Sequence, residues 1–188
     1  MADEELPSLA EFAPDALDQT IGRVKNLYDV MATALDVEAH MNGEERRRSE
    51  RENPTSYEEW EHLIFDEVDD DLAECRSLTC QMVIVGLNAA LERQVRRSGL
   101  PRVVPEERKK PRDVPWTARY DGACAGAPSW NCVKEIALAR NEVMHAGKRP
   151  PKPSRYVNDA GEASFDRETL EAAVADLREF AGWLHKRY

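Results

Sequence analysis

Arg140, Asn141 and His145 are the residues of this chain whose types and spacing point most directly to chemistry. An arginine can hold a phosphate, an amide can orient it, and a histidine can move a proton at neutral pH. On a helix Asn141 and His145 are four residues apart and share a face. Arg140 starts about 140° around from His145, by the 3.6-residue turn, and its long side chain can curl back. The bare spacing is common: an Arg five to seven residues before a His is expected about once by chance in so arginine-rich a chain. Arg178 and His185 also fit it, but Glu179 follows Arg178 and would repel a phosphate, and His185 lies near the chain end.

Charge singles out the first match. Of a net charge of −10, residues 1–95 contribute −15, residues 96–155 contribute +8 and residues 156–188 contribute −3. Arg140 lies inside the only basic block, which also holds Arg108, Lys109, Lys110, Arg112, Lys148 and Arg149. A local positive field beside candidate proton-transfer groups suits a polyanion. Those six cations are the candidate RNA-binding residues. The competing structural reading makes the block a solvated loop paired with the acidic half, pairs Arg140 with Glu135 or Glu142, and uses His145 as a helix C-terminal cap.

The elements that must position these residues are helices. Residues 1–13 read as an acidic tail and residues 14–188 as one domain, a size that supports a sizeable core. Leu17, Ile21, Val24, Tyr28, Met31 and Leu35 step by three and four, predicting a first helix that dissolves by Gly43. Ser56-Tyr57-Glu58-Glu59 is a capping box, and apolar positions from Trp60 through Ile64, Val68, Leu72, Cys75, Leu78, Met82, Val85 and Ala89, with Leu91 and Val95 beyond, predict a second helix of about 40 residues. A break near Asp69-Asp70-Asp71 is the alternative. Residues 98–128 carry five prolines and no periodicity and read as a long loop. In it Trp116 either stacks on a nucleic-acid base or pins the loop to the core.

Ser129 to His145 is the helix that carries the motif, with Trp130, Val133, Ile136, Ala137 and Met144 inward, and Gly147 beyond its end. Residues 147–163 read as a Pro-rich basic turn. Asp166 then caps a last helix lined by Leu170, Val174, Leu177, Ala181 and Leu184, with Phe165 and Leu170 placed as a hydrophobic staple. No alternating β-branched run competes. The predicted fold is all-α, an antiparallel bundle of four to five helices with a long Pro-rich loop before the motif helix. Its core is expected at Leu17, Ile21, Val24, Tyr28, Trp60, Ile64, Leu78, Met82, Val85, Ile136, Leu170, Val174 and Leu177.

Other functions find less support. No apolar run is long enough to span a bilayer, and the start of the chain lacks a secretory pattern, so a cytoplasmic location is expected. Cys75, Cys80, Cys124 and Cys132 form no C-x-x-C pair and read as reduced thiols. A Cys124, Cys132, His145 metal site rests on proximity alone, so neither a metal nor another cofactor is expected.

With Arg140, Asn141 and His145 near the end of a late helix, and the long helix through VIVGLNAALERQVRRS before it, the chain resembles the HEPN superfamily over about residues 15–187. The resemblance implies a metal-independent endoribonuclease, acting as a toxin or defence effector, that cleaves single-stranded RNA by attack of the 2′-OH. It implies a homodimer whose two motifs meet, and a regulatory protein partner such as an antitoxin. Arg140 would hold the scissile phosphate, His145 would transfer the proton, and Asn141 would orient either. Some members carry a tyrosine two residues after the histidine; here Gly147 stands there. A non-catalytic module that binds a partner protein or a nucleotide is the alternative.

Overall fold

A computed structural model describes residues 15–52, 59–103, 115–145 and 154–187. The chain is all-α: α1 (Asp15–Glu52), α2 (Glu59–Arg97), a 3-10 turn at Trp116–Arg119, a short α3 (Asp121–Cys124), α4 (Trp130–Met144) and α5 (Arg167–His185). Among the described residues there is no strand beyond isolated bridges that join Ser154 to Val157 and Val157 to Ala163.

α1 and α2 form a long antiparallel hairpin. Val24 meets Gly86 at one end, and Asn42 bonds the Phe65 carbonyl (3.3 Å) and the Asp69 carboxylate (2.8 Å) at the other. α1 does not stop at Gly43 but runs on to Glu52. Arg47 pairs with Glu44 and Arg48 with Glu52 at one-turn spacing, and Arg46 reaches across to Asp66 and Asp69. The charged run past Gly43 is therefore helix held by ion pairs. α2 passes unbroken through Asp69-Asp70-Asp71, and Gly99, at φ 67°, turns the chain out of it. The Ser56 capping box and the Trp60 side chain lie outside the described residues.

α5 lies along α1, tied by Arg178 to Asp18 (2.8 Å) and Lys25 to Glu171 (3.6 Å). Asp166 caps it by accepting the Thr169 N–H at 2.8 Å. That bond holds the Asp166 carboxyl below its usual range. Leu170, Val174, Leu177, Ala181 and Leu184 are all buried, as their spacing predicts. α4 packs between α2 and α5, and Trp130 sits 5.6 Å from Phe180 and 6.1 Å from Trp116, ring centre to ring centre.

Three expectations are corrected. In α2 the buried residues are Cys80, Val83, Ile84, Leu87, Leu91 and Val95, while Ile64, Leu78, Met82 and Val85 are exposed. The helix has two apolar faces, and the longer stripe is the outer one. In α4 Met144 is exposed rather than inward. The second half of the long loop is structured: Trp116 Nε1 donates to Asn88 Oδ1 at 2.9 Å, and Thr117, Tyr120 and Cys124 are buried. Trp116 thus pins the loop to α2. The basic turn also contributes to the core, since Tyr156 and Val157 are buried.

Candidate functional site

Arg140 and Asn141 lie in the last turn of α4 and His145 caps its C-terminal end. α4 starts at Ser129, held in the left-handed region (φ 56°), with its hydroxyl donating to Asp176 (3.3 Å) and Glu179 (3.1 Å) of α5. Trp130 anchors the first turn by donating to Asp121 at 2.7 Å. Cys132, Val133, Ile136, Ala137 and Ala139 then bury the middle of the helix. Its far end is fixed relative to the core by these contacts, which is what a positioned site needs.

At that end Arg140 and Asn141 are half-buried and His145 is exposed. Arg140 Nη1 donates to Asn141 Oδ1 at 3.1 Å, so the guanidinium and the amide already act as one unit. His145 is the first residue beyond the helix (φ −123°, ψ 17°), and its N–H reaches the carbonyls of Glu142 and Val143. Its backbone has left helical register, so the Asn141–His145 pairing expected of an ideal helix is loosened and the imidazole faces solvent. The capping role assigned to His145 in the competing reading is realised by its backbone, leaving the ring available. Of the acids offered as partners for Arg140 in that reading, Glu135 is held by Arg155 at 2.8 Å. Glu142, the other acid offered, is buried.

The second Arg–His match is structural on its arginine side. Arg178 is committed to Asp18, and His185 is an exposed residue in the last turn of α5. The candidate RNA contacts Arg108, Lys109, Lys110, Arg112, Lys148 and Arg149, with Gly147, lie outside the described residues. Described members of the basic block are partly engaged nearby: Arg96 with Glu92, Lys134 with Asp121, and Arg155 with Glu135 and Asp176.

Cys124, Cys132 and His145 do not converge. Both thiols are buried while the imidazole is exposed, and among the described residues no three His, Cys, Asp or Glu side chains are grouped to hold a metal. Burial pushes both thiols up to about 11, and Cys132 Sγ lies 3.6 Å from the Tyr156 hydroxyl. Among the described residues no helix is long and apolar enough to cross a membrane. No protein-family model, curated protein or solved structure matches the chain.

Proposed function

We propose that the chain is a HEPN-like endoribonuclease that cleaves single-stranded RNA without a metal. The observation that carries this reading is the joined Arg140–Asn141 pair and the exposed His145 at the C-terminal end of one helix of an all-helical domain. Arg140 binds a non-bridging phosphate oxygen and offsets the charge that builds there. His145 takes the proton of the 2′-OH as that oxygen bonds to phosphorus, and the bond from phosphorus to the 5′-oxygen breaks. The leaving oxygen needs a proton of its own. A second copy's His145 supplies it when two sites meet across a two-fold axis, the dimer this reading asks for. The basic block, with Arg108, Lys109, Lys110 and Arg112, supplies further phosphate contact. The products are a 2′,3′-cyclic phosphate and a free 5′-OH. A test is an RNA with one 2′-deoxy residue: cleavage must vanish after that residue and persist elsewhere. Cleavage at the deoxy position rules the mechanism out.

The second reading, a non-catalytic module that binds a partner protein, is favoured by the exposed apolar side chains of α1 and α2. An intact RNA after prolonged incubation would decide for it.

A further inference from the structure

α2 carries two apolar faces. Leu87, Leu91 and Val95 point into the bundle, while Ile64, Val68, Cys75, Leu78, Met82, Val85 and Ala89 point out. At 100° per residue the two sets are centred about 180° apart. The outer set, with Asp71, keeps alternating steps of four and three from Ile64 to Ala89. That is the a/d seam of a coiled coil, sustained for more than three heptads. Leu78 is 48 % and Met82 59 % exposed, so no described residue of the chain buries the seam.

α1 has a matching seam at Leu27, Val30, Ala34, Val37 and Met41, stepping by three and four. α1 directs Asp18 and Lys25 to α5, and Val24 and Asn42 to α2, leaving this seam on the remaining side. The two seams therefore run side by side on the hairpin face turned away from α4 and α5. An open groove of about 570 Å³ along Val30, Ala34 and Val37 lies within that face. Two helices with apolar seams on one face are half of a four-helix bundle.

Charge selects the other half. Residues 59–74 of α2 carry eight carboxylates and no Lys or Arg, whereas residues 92–97 carry Arg93, Arg96 and Arg97 against Glu92. A parallel partner helix of the same kind would stack acid on acid. An antiparallel copy places each acidic end beside the other's arginine end and sets the crowded acids against the uncharged segment 79–90. The seam is self-complementary in that direction: Ile64 faces Ala89, Val68 faces Val85, and Cys75 faces Leu78. We infer that a second copy of this chain docks antiparallel on the outer face of the α1–α2 hairpin, across a two-fold axis between Cys75 and Leu78. Asp71 is the one polar seam position, a device that fixes register at a cost in stability. α4 packs on the opposite side of α2, so this contact is separate from any pairing of the Arg140–His145 sites and stands without the cleavage reading.

The wild-type chain carries its own probe. Cys75 is exposed and the other three cysteines are buried. Across the axis the two Cys75 residues are offset by only about 4.5 Å along the helices, at 1.5 Å per residue. Light scattering at tens of micromolar should give a dimer, and a short bis-maleimide should link it through Cys75, with Cys75→Ser abolishing the link. Leu78→Glu with Met82→Glu should abolish the Cys75 link with unchanged helicity, both side chains being exposed. In a Cys75→Ser background, Val68→Cys with Val85→Cys should cross-link. Val68→Cys alone should not, its copies lying about 25 Å apart along the helices. A wild-type monomer overturns the inference and leaves a different protein as the occupant. A Cys75 link that survives the glutamates, or a link through Val68→Cys alone, overturns it too.

Discussion

His145 stands one residue past the end of α4, and its exposure separates a reacting group from a packing one. His145→Ala removes no buried contact, so the melting temperature should stay within about 1 °C while cleavage falls by at least 100-fold, the usual contribution of a general acid or base. Calorimetry beside a cleavage assay checks both halves. The thiols give a second test. Cys124 and Cys132 are pushed up to about 11 by burial, from 9.0. A group whose folded value is raised stabilises the fold fully below its unfolded value and loses that stabilisation as pH climbs to the folded one. The melting temperature should therefore hold near pH 8 and fall between pH 9 and 11. At pH 8 a thiol reagent should leave Cys80, Cys124 and Cys132 unlabelled in the native chain; rapid labelling of all four cysteines would mean the core is open. The motif itself was legible from residue types and spacing. The burial of Glu142 and the helix ending before His145 were not, because both depend on how the bundle's end is packed.

At the scale of elements, periodicity located every long helix but misjudged what faces inward on α2. Counting apolar steps follows the longest stripe, and on α2 that is the outer seam. Leu91 and Val95 of the inner face stand out in the sequence, but Val83-Ile84 and Leu87 join them only once α4 is known to lie against that face. α5 has a single apolar face, so Leu170 to Leu184 read correctly. The reach of α1 past Gly43 was hidden because ion pairs rather than apolar residues extend it. Two substitutions probe the hairpin and the loop. A Cβ at Gly86 would sit 3.4 Å from Val24 Cγ2, in ordinary contact. Gly86→Ala should add up to about 1 kcal/mol from helix propensity, and Gly86→Leu should lower stability by forcing α1 away. Trp116→Phe keeps an aromatic ring, though a smaller one, and leaves the buried Asn88 Oδ1 without its donor. It should cost about 1–3 kcal/mol in urea unfolding. No loss would mean that the loop is not pinned there.

For the whole molecule, charge is divided between an acidic hairpin and a basic block that contains the motif. If RNA is the ligand, affinity must fall with salt, by a log–log slope of about −0.7 for each phosphate neutralised on a single strand. Neutralising Arg108, Lys109, Lys110 and Arg112 together should flatten that slope. An unchanged slope would place the RNA elsewhere. The all-helical class was readable from the absence of alternating β-branched runs. The function rests on one short cluster in a chain with no matching family, and one assay bears on it most directly. Single-stranded RNA is incubated with wild type, Arg140→Ala, His145→Ala and His185→Ala in EDTA, and the ends of the products are identified. Metal-independent catalysis at Arg140 and His145 predicts cyclic-phosphate ends from wild type and His185→Ala, and intact RNA from the other two. Cleavage by His145→Ala at the wild-type rate would contradict it.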